Sequence, residues 1–287
     1  MSRTSQRSTF RVLAAGIVPV YRSLAVPHWR GTENFPAAGG FVVAANHLTE
    51  LDPIVVAHAV YRAGIMPRFL AKESLFRIPV VGRLLSRIGQ VPVYRGTSRA
   101  KDSLDAAFTE LDSGGAIIVY PEGTITRDPR MWPMRGRTGA ARLALQAGVP
   151  VVPVAHWGDQ EILYRDPEGH RTAHPFPPKR VHGVVGTPLH AEDLVPGGLA
   201  HPGHPTANEL AHATTVIMAA VAELLGELRG EPAPRDLMDP RADRAASSSG
   251  GAAAATAGAA SEDDAARAPG ETDPGDEPSS AGGSVAP

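Results

Sequence analysis

The fold class follows from short apolar runs that alternate with helical patterns. Residues 41–45 and 116–120 are almost entirely apolar, which is typical of strands buried on both faces of a sheet. Helical spacing of apolar residues predicts helices over 53–63 and 206–228. Strands separated by helices predict an α/β fold with a mostly parallel central sheet flanked by helices. Further strands are predicted over 68–71, 90–94, 149–154 and 181–185, and further helices over 75–88, 98–111 and 139–147.

A histidine and an aspartate share the turn between the first buried strand and its helix. Residues 46–53 read Asn-His-Leu-Thr-Glu-Leu-Asp-Pro. In an α/β protein, ligands usually bind at such a corner, beyond the carboxyl end of a strand. His47 could take a proton from a hydroxyl, because a nearby carboxylate such as Asp52 fixes the ring tautomer and stabilises the imidazolium. The structural alternative is that Asp52 caps a helix with proline at its first position, and that Asn46 and His47 are turn residues.

Glycine and arginine follow two other predicted strands. Glu122-Gly123-Thr124 comes directly after 116–120, and glycine lets the backbone approach a ligand closely. The stretch 89–96 carries Gly89 and Arg95 before a predicted helix. Arginine side chains suit phosphate oxygens, although both stretches could instead be a turn and a solvated loop. The arginines that follow Thr124 are Arg127, Arg130, Arg135 and Arg137.

A fourth stretch, residues 148–154, has two prolines and no titratable side chain. Prolines are unusual in a central strand. We interpret this stretch as either a substrate channel or a packing surface.

The two ends of the chain differ from its middle in charge and composition. The first thirty residues hold five arginines and no acid, and their apolar run at 12–20 is far shorter than the ~20 residues of a spanning helix. We predict that 1–30 is a basic amphipathic segment that contacts an anionic membrane, the alternative being a helix packed on the domain. Residues 231–287 are poor in large apolar side chains and are predicted to form a disordered acidic tail, which leaves 31–230 as the folded domain. The chain has no cysteine, so disulfides and thiol chemistry are excluded and a cytosolic setting is expected.

Taken together, the four stretches resemble the four sequence blocks of the glycerolipid acyltransferase family, which includes the 1-acylglycerol-3-phosphate acyltransferases. His47 and Asp52 match the family's His-x4-Asp signature, with Thr49 where serine is commoner. The second block matches through Gly89 and Arg95 but departs from the family at Pro92 and Tyr94. The third block, 120–124, has Tyr120 in place of phenylalanine and is followed by Ile125 instead of arginine, so Arg127 is expected to take over that arginine's task. Residues 149–154 match the fourth block.

The resemblance implies a single-domain fold like that of glycerol-3-phosphate acyltransferase, and an O-acyltransferase of phospholipid biosynthesis. This enzyme would transfer an acyl group from a thioester to the free hydroxyl of 1-acylglycerol 3-phosphate and so form phosphatidate. His47 would be the general base, and Asp52 would orient it. Residues implied to bind the acceptor phosphate are Arg95, Glu122, Gly123, Thr124, Arg127 and Arg137, with Arg135 a further candidate, and the implied supporting residues are Asn46, Thr49 and Gly89.

The resemblance implies no metal and no cofactor, only an acyl-CoA or acyl-carrier-protein thioester as co-substrate. The expected partners are a membrane lipid acceptor and an anionic membrane surface, and no nucleic acid. The expected location is the cytoplasmic face of the plasma membrane, as a peripheral or monotopic protein. One alternative is an acyltransferase of the same fold that uses glycerol 3-phosphate, another lysophospholipid or a glycolipid. Another is a non-catalytic membrane-binding relative, against which the intact pair of His47 and Asp52 argues.

Overall fold

The computed structural model describes residues 3–93, 100–166 and 169–239, and residues up to 240 form one compact unit. The strands are β1 (Ala25–Arg30), β2 (Phe41–Ala45), β3 (Pro67–Lys72), β4 (Val91–Val93), β5 (Ala116–Val119), β6 (Val151–Trp157), β7 (Leu163–Arg165), β8 (Arg171–Ala173) and β9 (Lys179–Val185). The helices are α1 (Arg3–Leu24), α2 (Asp52–Arg62), α3 (Glu73–Phe76), α4 (Pro79–Arg87), α5 (Ala100–Asp112), α6 (Gly139–Ala147), α7 (Ala191–Leu194) and α8 (Ala207–Arg229).

Seven strands form one twisted layer in the order β1-β9-β6-β2-β5-β3-β4. Every neighbouring pair in this sheet is parallel except β6 and β9, which confirms the predicted mostly parallel sheet. The strands β2 and β5 lie at its centre and are buried along their whole length, as their apolar sequences predict. Strands β7 and β8 form a separate antiparallel two-stranded sheet.

Helices cover both faces of the sheet, because alternate residues of a strand point to opposite sides. Val42 and Ala44 of β2 belong to a core cluster with residues of α6 and α8. Val43 and Ala45 belong to a second cluster with Val56 of α2. This arrangement places the carboxyl end of β2, and the turn that follows it, near the middle of the sheet, at the end of its strands.

Two predicted elements differ from the structure. The single helix predicted over 75–88 is two helices, α3 and α4, because Ile78 is extended and Pro79 begins a new helix at its first turn. The strand predicted over 181–185 begins two residues earlier, at Lys179, and β8 was not predicted. Residues 151–154 of the fourth stretch begin strand β6 and are buried, and their valines belong to the two core clusters, which agrees with the packing-surface interpretation.

The first thirty residues form α1 and β1, and β1 pairs with β9 at the edge of the sheet. Ala14 and Tyr21 of α1 are buried, whereas Val12 and Val20 on another side of the helix are 76% and 61% exposed. This segment is therefore packed on the domain and also presents apolar side chains outward. Its contact with a membrane stays a prediction.

The folded part continues beyond the boundary predicted at 231. The backbone N–H of Glu231 donates to the carbonyl of Gly226, and that of Arg135 donates to the carbonyl of Met238. The boundary is therefore placed too early, whereas the remainder of the predicted tail, 240–287, lies outside the described residues. Helix α8 is long and apolar enough to span a membrane by length and composition, but half of that apolar stretch is buried in the domain, as in a core helix.

Candidate active site

The turn from β2 to α2 is folded around the carboxylate of Asp52, which is fully buried. Its Oδ2 atom accepts hydrogen bonds from Nδ1 of His47 (2.7 Å) and from the backbone N–H of Leu48 (2.6 Å). Its Oδ1 atom accepts from the backbone N–H (2.9 Å) and the hydroxyl (2.8 Å) of Thr49. Asp52 thus holds the turn and orients the imidazole at the same time. Because Nδ1 is taken, Nε2 is the ring nitrogen left for a substrate.

Glu122 ties this turn to the loop after β5. Its Oε1 atom accepts the backbone N–H of His47 (2.9 Å), and its Oε2 atom accepts that of Met134 (3.0 Å). The side chain is only 1% exposed, and burial raises its pKa to about 8, against the two N–H groups, which favour the ionised form. The family resemblance implied that Glu122 binds the acceptor phosphate. The structure instead gives it a structural position beneath His47, because both oxygens already bind backbone groups and neither reaches solvent.

The ring of Tyr120 stacks on the ring of His47, with centroids 4.4 Å apart and planes 22° apart. Burial is the main cause that raises the pKa of Tyr120, so its hydroxyl is neutral at physiological pH. The stack covers one face of the imidazole, whereas Asp52 bonds to its edge at Nδ1.

A second histidine lies behind the first, and sequence reasoning missed it. The side-chain amide of Asn46 makes two hydrogen bonds of 3.0 Å with the backbone of His156, accepting from its N–H and donating to its carbonyl. The ring of His156 is fully buried, with Nδ1 3.0 Å from Oδ1 of Asp159 and Nε2 3.2 Å from the carbonyl oxygen of Asn46. The same Nε2 atom lies 3.8 Å from Oδ2 of Asp52. The hydroxyl of Thr49 lies 3.0 Å from Oδ2 of Asp159.

These groups form one buried network of opposite and like charges. Burial alone would lower the pKa of His156, but the carboxylates of Asp159 and Asp52 raise it to about 9. Burial and then the negative charge of Asp159 raise the pKa of Asp52, whereas His156 outweighs burial and lowers the pKa of Asp159. Within the described ranges, ligand atoms of Asp52, His156 and Asp159 lie within 4.8 Å of one another and are the set that could hold a metal ion.

A largely apolar cavity of about 410 Å³ opens beside His47. Helix α1 forms one of its walls through Leu13, Ile17 and Tyr21, and Lys72 at the end of β3 also lines it. An apolar cavity with a few polar groups at one end suits a ligand with a long hydrocarbon part. The remaining walls come from α2, α3, α4 and the aromatic pair Phe69 and Tyr120.

The chain resembles acyltransferases both in sequence and in fold. The profile of the acyltransferase family matches residues 27–157. The 1-acyl-sn-glycerol-3-phosphate acyltransferase of Bacillus subtilis is 28% identical over 199 residues, which cover 68% of this chain and 86% of that protein. The chloroplast 1-acyl-sn-glycerol-3-phosphate acyltransferase of Brassica napus is 32% identical over 142 residues, which cover 49% of this chain and 40% of that protein.

These matches support the acyltransferase family for this chain. A crystal structure of a 1-acyl-sn-glycerophosphate acyltransferase from Thermotoga maritima has the same fold, with a TM-score of 0.55 at 24% identity over 82% of this chain and 86% of that one. This likeness confirms the predicted fold class. The match spans only 40% and 43% of the lengths of the relatives from Brassica napus and Arabidopsis thaliana.

The residues predicted to bind phosphate do not all share one surface. Arg127 and Arg137 are exposed, and Arg137 packs on Gly123, whose φ of 75° and lack of a Cβ allow that approach. Thr124 is half-buried. Arg135 instead forms an ion pair with Asp239, 3.6 Å away, and Arg95 lies outside the described residues.

The predicted supporting residues have structural positions in the domain. Asn46 and Thr49 are buried in the network around Asp52. Gly89 has a φ of 73° and lies against the buried guanidinium of Arg68, where a Cβ would collide. Its contribution is therefore to let β4 begin close to β3, at the wall of the cavity.

Proposed function

We propose that this chain transfers an acyl group from a thioester to the free hydroxyl of 1-acylglycerol 3-phosphate and forms phosphatidate. The observation that carries the proposal is the 2.7 Å hydrogen bond between His47 Nδ1 and buried Asp52, at the mouth of an apolar cavity. The Bacillus subtilis and Brassica napus relatives, named 1-acyl-sn-glycerol-3-phosphate acyltransferases, favour this acceptor. An acyl carrier protein or coenzyme A would carry the thioester.

In the proposed reaction His47 Nε2 takes the proton of the acceptor hydroxyl as the oxygen attacks the thioester carbonyl. The carbon–sulfur bond then breaks, and the leaving thiolate takes the proton from the imidazolium. Asp52 supports the imidazolium throughout. Lys72 lines the same cavity, so its ammonium group is the cation we place near the negative charge that develops on the thioester oxygen.

The apolar cavity would hold an acyl chain, and the exposed loop arginines would hold the acceptor phosphate. Among the described residues, Arg127 and Arg137 are the arginines proposed to bind the phosphate, and Arg95 is proposed from the sequence. Guanidinium groups bind phosphate through paired, charge-assisted hydrogen bonds. Glu122 is not proposed to bind the phosphate, because both of its oxygens accept backbone N–H groups.

The cavity wall supports the proposed contact with an anionic membrane at the cytoplasmic face. Ile17 of α1 and Leu75 of α3 line the cavity and are also exposed on the surface. Val80 and Val81 of α4 extend this exposed apolar rim, and α4 carries arginines and no acid. An apolar rim with basic neighbours suits the boundary between headgroups and acyl chains, so a lipid acceptor could enter the cavity from the bilayer.

The proposal is tested by incubating the purified full-length chain with labelled long-chain acyl-CoA and a panel of lysolipids in liposomes. Labelled phosphatidate is expected from 1-acylglycerol 3-phosphate, and His47→Ala should abolish it. The matched control is His182→Ala, which removes an exposed histidine of β9 far in sequence from the turn. Phosphatidate formation by His47→Ala at the wild-type rate would refute the general base, and preferred use of another acceptor would refute the proposed substrate.

A further inference from the structure

The network behind His47 contains more charge than the proposed reaction uses. Asp52 and Asp159 are both fully buried, and both lie within hydrogen-bond distance of the one hydroxyl of Thr49, at 2.8 and 3.0 Å. That hydroxyl also accepts the backbone N–H of Leu51. A hydroxyl has one proton to donate, so it can satisfy only one of the two carboxylates at a time. Two neighbouring buried carboxylates do not both stay ionised without a compensating cation.

The geometry of His156 identifies that cation. Its Nδ1 atom faces Oδ1 of Asp159, and its Nε2 atom faces the carbonyl oxygen of Asn46 and, at longer range, Oδ2 of Asp52. A carbonyl oxygen only accepts, and so does an ionised carboxylate, so both ring nitrogens need to carry a proton. A neutral imidazole would leave one lone pair directed at an oxygen atom. With both carboxylates ionised, these contacts describe an imidazolium.

We propose that His156 is a protonated positioning residue which, held by Asp159, keeps Asp52 ionised so that Asp52 can accept the Nδ1–H of His47. This inference rests on the proposed function only for its kinetic consequences. The resting network carries two negative charges and one positive charge. Transfer of the substrate proton to His47 adds a second positive charge, so the buried network becomes balanced when the acceptor oxygen attacks.

The titratable groups that face this network are few. Asp52 comes from the start of α2 and Asp159 from the turn after β6. Among the described residues, Glu122 after β5 interacts electrostatically with Asp52 and His156. Tyr120, whose pKa is raised mainly by burial, interacts with Asp52 and Asp159, and Tyr21 of α1 interacts with Asp159. Burial and Asp159 raise the pKa of Tyr21, so this phenol stays neutral and adds no charge.

The decisive comparison uses the full chain as wild type, His156→Gln, Asp159→Asn and the double variant, with the rate of acyl transfer measured against pH. In His156→Gln the two carboxylates share a proton, so Asp52 needs a higher pH to ionise. The acid limb of the profile should move up by about one pH unit or more, with little change in the acceptor KM. In Asp159→Asn the like charge is removed, so the acid limb should move down. In the double variant the cation is no longer needed, so the limb should return towards that of Asp159→Asn.

A packing role for His156 gives the opposite pattern, in which the double variant is as impaired as His156→Gln or worse. That result would overturn the inference, as would an unmoved acid limb in His156→Gln. The matched control is His182→Gln, the same substitution at an exposed histidine. Loss of activity on dialysis against EDTA, with recovery on adding a divalent metal, would also overturn it, because it would make Asp52, His156 and Asp159 a metal site.

A second measurement needs no catalysis. With nitrogen-15 histidine, the ring signals that are missing from His156→Gln identify His156 among the 11 histidines of the chain. The inference expects both of its nitrogens to be protonated at pH 7.5, and the pattern of a neutral ring would refute it. If the wild type transfers no acyl group to any lysolipid, the proposed function fails while this measurement still decides the charge of His156.

Discussion

Replacing Asp52 by asparagine separates orientation of His47 from substrate binding. The asparagine oxygen can keep the two bonds from Thr49 that Oδ1 now accepts. Its NH2 group must then replace Oδ2, where it faces the N–H of Leu48 and Nδ1 of His47, at present 2.6 and 2.7 Å away. The amide can donate only to an unprotonated Nδ1, so the imidazole proton moves to Nε2. A ring protonated there cannot accept the proton of a hydroxyl.

The expected loss follows from this tautomer change. General-base catalysis by an oriented histidine contributes about 10²–10⁴-fold, so kcat should fall by that factor, which is about 3–5 kcal/mol of transition-state free energy. The acceptor KM should change little, because Asp52 is buried and does not reach a ligand. The NH2 group of the new asparagine would face the backbone N–H of Leu48, and these two opposed donors should lower the stability of the folded state by about 1–3 kcal/mol. Loss of the repulsion between Asp52 and Asp159 partly offsets this cost.

The assay is the initial rate at saturating acyl-CoA over a range of lysophosphatidate concentrations, with the melting temperature measured on the same samples. Asp166→Asn is the matched control, because Asp166 pairs with His170 at 3.0 Å on the surface, away from the cavity. It should retain wild-type kinetics. A variant Asp52→Asn with normal kcat and a raised KM would refute the orienting role and make Asp52 a binding residue.

Three further predictions concern stability, the membrane and the acceptor. The pKa of about 9 for His156 is above its usual value of 6.5, so the folded state binds the extra proton and stability should fall from pH 6.5 to 9 by up to about 3 kcal/mol. Glu122, whose pKa is raised to about 8, also makes stability fall with rising pH up to about pH 8. In thermal melts over this pH range, the stability of His156→Gln should depend less steeply on pH than that of the wild type. In liposome sedimentation, Val80→Asp should weaken binding to anionic vesicles more than Val26→Asp, which alters an exposed valine of β1, and equal losses would contradict a membrane-facing α4. Arg137→Ala should raise KM for phosphate-bearing acceptors chiefly, and an equal effect on acceptors without phosphate would contradict the assigned contact.

The sequence predicted the first histidine site because all of its parts lie within a few residues. A buried run, a turn and an Asp-Pro helix start place His47 and Asp52 on one corner whatever the rest of the chain does. Because His47 and Asp52 are so close in the sequence, the 2.7 Å contact between their side chains agrees with the His-x4-Asp pattern. The catalytic task of that pair stays a proposal.

The second histidine pair could not be predicted in the same way. His156 lies in an apolar strand and resembles a core residue, and its approach to Asp52 depends on the parallel register that places Ala45 beside Val154. The only sequence signal was a histidine near the end of that strand, three residues before an aspartate. Strand β1 was missed for a similar reason, since its partner β9 is about 150 residues away in the sequence. Pairings over such distances leave no local periodicity to read.

One consequence of the position of α1 bears on how this protein is handled. The same 22-residue helix that presents valines outward also forms a wall of the chamber beside His47. Removing the first thirty residues would therefore remove the edge strand β1 from the sheet and open the cavity beside His47 to water. Loss of activity in the truncated protein would therefore not show that the segment binds the membrane. Single substitutions on the outer side of the helix are needed to separate membrane binding from enclosure of the acyl chain in the cavity.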